Sequence, residues 1–139
     1  MEFEEVLTVH VQIEKSIQLN NSEGDSVNMI SFKGRVTGKY FEGEVLDGGV
    51  DTQIIGRLGS RHTLSARYML EGKDHTGAPS KIYIENNGNI NGTLKNALFR
   101  TYPKVITDSK ALAFLNDDIL VAEGRSTESG LDIKIYRAL

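Results

Sequence analysis

Along much of this chain, apolar and polar residues alternate at every second position. Leu7, Val9, Val11 and Ile13 fall on one side, with Thr8, His10, Gln12 and Glu14 on the other. Ile30, Phe32, Gly34 and Val36 oppose Ser31, Lys33, Arg35 and Thr37; Leu64, Ala66, Tyr68 and Leu70 oppose Thr63, Ser65, Arg67 and Met69. Successive side chains leave a pleated strand in opposite directions, so this period predicts strands buried on one face. Shorter runs of strand character cover 39–46, 81–86, 95–102, 118–124 and 131–137. Clusters rich in Asn, Asp and Gly at 20–25, 47–49, 72–77 and 86–89 read as reversals between them, because these residues tolerate positive φ.

One segment breaks the period. Thr107-Asp108-Ser109 precedes Lys110-Ala111-Leu112-Ala113-Phe114-Leu115, a capping residue ahead of apolar residues at helical spacing. The pattern predicts a short helix that covers one end of the sheet structure. Eight or so short strands with regular turns predict an all-β sandwich or closed barrel. Closure would also remove edges that the two prolines, Pro79 and Pro103, could not protect alone. With 139 residues and no linker or internal repeat, the expected organisation is one domain over 1–139.

Composition narrows the function classes. There is no cysteine, so disulfides and thiolate metal sites are excluded. The opening Met1-Glu2-Phe3-Glu4-Glu5 is acidic where a secretory signal would be basic and then apolar, so a cytoplasmic location is expected. No apolar run reaches the roughly 20 residues of a membrane span, so no membrane partner is expected. The net charge is −3, and the only basic concentration is Arg57, Arg61, His62 and Arg67, which argues against nucleic acid as a partner. Twofold pairing is the commonest assembly of soluble chains, which leaves a homodimer open without any patch that requires one.

Local motifs add little. Gly34-Arg35-Val36-Thr37-Gly38-Lys39 is one residue short of a phosphate loop, and no Ser or Thr follows the lysine. His10, His62 and His75 sit in different segments without ligand spacing, so neither a metal nor a cofactor is expected. Ser60 and Ser65 lie near His62, but a nucleophile and its base are recognised by geometry rather than by proximity in sequence. Glu42 and Glu44 share a face, for which an outward acidic face is the simpler reading. A tyrosine at 68 or 83 reads first as a core ring with a satisfied hydroxyl, and an arginine at 67 as an outer-face residue.

Three blocks carry a family likeness. Gly48-Gly49-x-Asp51-x-Gln53, Leu64-Ser65-Ala66-Arg67-Tyr68-x-Leu70 and Ile82-Tyr83-Ile84-x-Asn86-x-Gly88 resemble the family called domain of unknown function 3237. Phe99-Arg100-Thr101-x-Pro103, Phe114-Leu115-Asn116 and Val121-x-x-Gly124-Arg125 resemble its later blocks in the same order. The family tends to have tryptophan where this chain has Thr52 and Phe114, and a tighter acidic turn at Asp74-His75-Thr76-Gly77.

The resemblance implies a single closed antiparallel lipocalin-like β-barrel, similar to that of allene oxide cyclases, and no established reaction. The polar positions it carries over are Asp51, Gln53, Arg67, Tyr83, Asn86, Arg100, Asn116 and Arg125. The expected function is a barrel that binds a small-molecule ligand, with arginine as anion anchor and Asp51 or Tyr83 exchanging a proton. The alternatives are an isomerase or cyclase, and an oligomer-forming module without a ligand. No residue is assigned as catalytic.

Overall fold

In the computed structural model, which describes residues 1–57 and 61–139, the alternating segments form nine antiparallel strands. They are β1 (Phe3–Asn20), β2 (Ser26–Thr37), β3 (Phe41–Val45), β4 (Val50–Ile55), β5 (His62–Asp74), β6 (Pro79–Ile90), β7 (Phe99–Thr107), β8 (Leu120–Ser126) and β9 (Leu131–Ala138). β1 pairs with β9 on one side and β2 on the other. The ring continues through β8, β7, β6, β5 and β4 back to β2. β3 and β4 occupy one place in it, because both bridge β2 and β5. The break between them falls at Asp47-Gly48-Gly49, where Gly48 takes φ +102°, a conformation glycine alone adopts without strain. The all-β closed barrel expected from the sequence is therefore the fold, with eight places round the ring.

Four local expectations are corrected. The 86–89 cluster is not a turn. Asn86, Asn87, Gly88 and Asn89 are paired on both sides within β6, to Ala66–Thr63 of β5 and to Pro103–Arg100 of β7. Ladder partners on both edges outweigh the local preference of Asn and Gly for reversal. The reversal at 72–77 is shorter than expected, since β5 runs through Asp74; that carboxylate accepts from the Thr76 and Ala78 amides at 2.9 and 3.2 Å and closes the turn. The strand expected at 95–102 begins only at Phe99. The helix is a single 3-10 turn, Ala113–Asn116. Ser109 is engaged as a clamp: its hydroxyl donates to Asp74 at 2.6 Å and accepts from the Leu112 amide at 3.2 Å.

The barrel has a closed end and a mouth. β7 and β8 pair only toward the mouth, over Phe99–Thr101 and Ala122–Gly124, and part toward the closed end. Pro103 follows where the β8 ladder has stopped, so its missing N–H is not needed there. Below that point the seam is filled by the 3-10 turn, with Leu112 and Leu115 fully buried and the Thr107 amide donating to Asn116 Oδ1 at 2.9 Å. Around them Glu4 accepts from Lys39, Tyr40 and Arg137, each at 2.8 Å, while the Arg137 guanidinium lies 4.4 Å from the Phe114 ring centre. The Lys39 bond first, then those of Tyr40 and Arg137, hold the Glu4 carboxyl at about 2. The lumen above this end is packed with Leu7, Val9, Phe41, Leu70, Ile82 and Ile84.

Candidate functional site

Strand period decides what faces the lumen. On β5 the inward row is Leu64, Ala66, Tyr68 and Leu70; on β6 it is Ile82, Ile84, Asn86 and Gly88. Toward the closed end these side chains are large and aliphatic. Toward the mouth Ala66 and Gly88 are small, and the core no longer fills the bore. A cavity of about 80 Å³ remains there. Val11, Ile30, Phe32, Phe99 and Ile133 give it an apolar collar, and Asp51, Gln53 and Asn86 supply its polar groups. Phe99 keeps its place in the collar by lying over Gly124 on β8, where even a methyl group would overlap the ring.

Asp51, Ala66 and Asn86 form one register row across β4, β5 and β6. The small Ala66 separates the two polar side chains and leaves the floor between them open. Asp51 Oδ2 accepts from Gln53 Nε2 at 2.9 Å, and Gln53 Oε1 in turn accepts from His62 Nε2–H at 2.7 Å. Asp51 Oδ1 has no hydrogen-bond partner among the described residues. Neither does either end of the Asn86 amide, although Asn86 is only 1% exposed. The hydroxyls of Tyr68 and Thr101 are also buried and unpartnered. Such groups are rare in folded proteins; among the described residues five of the six lie in the mouth half of the lumen, and the sixth, Ser80 Oγ, lies toward the closed end. Burial raises the Asp51 carboxyl above its ordinary value, against the lowering effects first of Gln53 and then of the Ser65 amide. Full burial, and then the charge of Asp51, pushes the Tyr68 phenol up as well. Tyr68 is thus a core ring as expected, edge-on to Phe32 at 5.1 Å, but its hydroxyl is not satisfied.

Of the eight positions singled out from the sequence, Asp51, Gln53 and Asn86 meet at this cavity. The other five do not. Arg67 is exposed on the outer wall with Nη2 at 3.4 Å from Glu85. Arg100 and Arg125 are exposed on opposite sides of Glu123, at 3.2 and 3.1 Å. Tyr83 is half-buried on the outer wall, since its neighbours Ile82 and Ile84 take the inward places. Asn116 belongs to the closed end. Glu42 and Glu44 are exposed, on the outward face expected for them.

Two lumen residues lay outside the expected set, Tyr68 and Thr101. Both stand in inward parity, Tyr68 between Ala66 and Leu70 and Thr101 two residues after Phe99, and that parity was the signal available. Ser60 lies outside the described residues, and Ser65 donates its hydroxyl to Asn87 at 2.6 Å. A larger groove of about 690 Å³ runs over the outer wall beside His10. Its central groups are paired with one another: His10 meets Asp132 at 2.9 Å and Thr37 at 2.8 Å, a cross-strand tie among β9, β1 and β2. The lumen, where polar atoms lack partners, is the better candidate.

The family model described as protein of unknown function (DUF3237) matches residues 1–98, which include Asp51, Gln53, Tyr68 and Asn86. A UPF0311 protein of Clostridium acetobutylicum is 39% identical over 90 residues; the match spans 63% of this chain but only about half, 54%, of that relative's length. The crystal structure of a protein with unknown function from Clostridium acetobutylicum ATCC 824 superposes with a TM-score of 0.81 at 28% identity, over 99% of this chain and 96% of the other. A beta-barrel like protein from Acinetobacter baumannii AYE has the same fold, with a TM-score of 0.81 at 21% identity over 98% of this chain and 94% of the other.

Proposed function

Because the chain belongs to the DUF3237 family, whose compared relatives are of unknown function, we propose from its own geometry that it binds a compact small molecule in the barrel mouth. The observation that carries this reading is the set of polar atoms without a partner among the described residues, Asp51 Oδ1 and both ends of Asn86, on two residues that line one cavity under an apolar collar. A buried polar group left without a hydrogen bond is destabilising by about 1–3 kcal/mol, so a ligand that satisfies these atoms recovers that energy on binding. Asn86 offers a donor and an acceptor side by side, and Asp51 accepts when ionised and donates when protonated. The matching ligand is mostly apolar with one polar edge.

Size limits it further. The bore of about 80 Å³ is roughly half the 150 Å³ that admits benzene in an engineered cavity. It suits a molecule of about three or four heavy atoms, or the end of a longer one that leaves past Ile13 and Leu131, which line the opening. An anion held by Arg100 is disfavoured, because that side chain is on the outer wall.

Native mass spectrometry of gently purified protein, with Asn86→Leu as comparison, tests the reading. The leucine fills the bore and removes the unpartnered amide. Wild-type protein should carry added small-molecule mass, or gain melting temperature with small ketones and amides, and the variant should do neither. Equal behaviour of the two proteins would remove the lumen as the site.

A further inference from the structure

Resting on that reading, we propose that the mouth is a proton-transfer site for small ketones, with Asp51 as the base and the Asn86 amide as the donor to the carbonyl oxygen. Asp51 and Asn86 stand on β4 and β6, one strand to either side of Ala66. Two strand spacings separate their backbones by roughly 10 Å. Two short side chains leaning in from both sides leave room for one small group between them, and Ala66 does not rise to occupy it. A carbonyl oxygen at Asn86 Nδ2 would turn the α-carbon of a small ketone toward Asp51 Oδ1, the oxygen that Gln53 leaves free.

The step balances within these groups. Asp51 Oδ1 takes a proton from the carbon next to the carbonyl. The C–H electron pair becomes the carbon–carbon π bond, and the carbonyl π pair moves to oxygen, where the Asn86 N–H stabilises the charge. The protonated Asp51 then returns the proton, either to the same carbon or, in an unsaturated ketone, to the γ-carbon. The second course moves the double bond into conjugation and regenerates the carboxylate. The apolar collar keeps bulk water from the enolate.

Two further features suit the role. Burial raises the Asp51 carboxyl, which makes its anion a stronger base than a solvated carboxylate. Gln53 and His62 act as positioning residues: the chain from His62 through Gln53 pins Oδ2 and so aims Oδ1. His62 itself is not the base, since the Nε2 side of its ring is engaged by Gln53.

The experiment uses acetone and pent-4-en-2-one, which can enter by its acetyl end, as probes. Proton NMR in D2O follows loss of α-hydrogens, ultraviolet absorbance follows formation of the conjugated enone, and saturation-transfer NMR reports binding separately. Wild-type protein should exchange α-hydrogens roughly a hundredfold or more above buffer. Asp51→Asn, close in shape, should fall to about the buffer rate while still binding acetone, and Asn86→Ala should lose roughly a hundredfold in rate. Gln53→Met should shift the pH–rate profile, a change that a merely structural role would not produce. Arg67→Ala, on the outer wall, should exchange like wild type. Binding with exchange at the buffer rate overturns the proton transfer and leaves the binding site standing. Undiminished exchange in folded Asp51→Asn overturns the assignment of the base. Neither binding nor exchange of either ketone overturns both readings.

Discussion

Replacing Tyr68 by phenylalanine should make this protein more stable. The substitution deletes one oxygen and nothing else. The ring is 3% exposed and meets Phe32 edge-on at 5.1 Å, and phenylalanine keeps both features. No native hydrogen bond is lost, because the hydroxyl has none among the described residues. In the unfolded chain that hydroxyl is hydrated, so folding the wild type strips water from it without return. The penalty removed is about 1–2 kcal/mol, within the range for an unsatisfied buried hydroxyl. With an unfolding entropy of about 2.1 cal/mol/K per residue, the 139-residue chain has about 0.3 kcal/mol/K. The melting temperature should therefore rise by roughly 3–7 °C.

Urea unfolding followed by circular dichroism gives the free energy, and calorimetry the midpoint. An unchanged m-value would show that the surface exposed on unfolding is the same in both proteins. A loss of about 0.5 kcal/mol or more would refute the reasoning, since it would mean that the phenol is hydrogen-bonded in the native barrel.

Other perturbations follow from the same geometry. Leu112→Ala removes a fully buried side chain from the closed-end plug and should lose about 2–5 kcal/mol in urea unfolding; a loss under about 1 kcal/mol would mean the turn does not seal the barrel. Asp51 and Asp74 should respond to pH in opposite senses, read as melting temperature against pH for wild type and for each asparagine variant. The folded carboxyl of Asp51 lies above its ordinary 3.8, so its stabilising contribution is full below that pH and lost as pH rises through the folded value. Wild type should thus lose stability relative to Asp51→Asn across that interval, and a gain would reverse the assigned burial effect. The Asp74 carboxyl is held at about 2, first by Ser109 and then by Thr76. Its contribution is present above 3.8 and lost as pH falls toward 2, so Asp74→Asn should flatten the acid limb there. An acid limb unchanged in the variant would show that the carboxylate's bonds to the turn are weak.

Much of the barrel was legible because a period of two is a strong signal over long strands. Leu64, Ala66, Tyr68 and Leu70 read as one face and are one face, buried together in the lumen. The signal failed where local preference opposed the ladder. Asn86-Asn87-Gly88-Asn89 has turn composition, yet both edges are paired, and only the three-dimensional neighbours β5 and β7 could reveal that. The short helix was legible only in part: the Ser109 hydroxyl does accept from the Leu112 amide, but it also donates to Asp74, 35 positions away, and the turn it leads into is only the 3-10 stretch Ala113–Asn116. For the site, residue type misled more than parity did. Arg67, Arg100 and Arg125 drew attention as anion anchors although their own period placed them outward, where Glu85 and Glu123 meet them. Tyr68, read as a core ring, was left out of the candidate set, and Thr101 was passed over, although the same period placed both inward.

The energetics of the mouth argue that its polar groups are not all dry at once. Five buried atoms there lack partners: Asp51 Oδ1, the Tyr68 hydroxyl, both ends of Asn86 and the Thr101 hydroxyl. At about 1–3 kcal/mol each they would together oppose folding by about 5–15 kcal/mol, as much as the whole net stability of an ordinary domain. Position divides the four on Asp51, Asn86 and Tyr68. Asp51 and Asn86 border the cavity of about 80 Å³, which has room for several waters at ~30 Å³ or less each. Tyr68 lies beneath it, against Phe32, with no open space assigned to its hydroxyl. On the proposed reading, the first two are therefore the groups that would exchange water for a ligand, while Tyr68 would carry a standing penalty in both states. That division is why a lumen variant at Asn86 should alter binding, whereas one at Tyr68 should alter stability first.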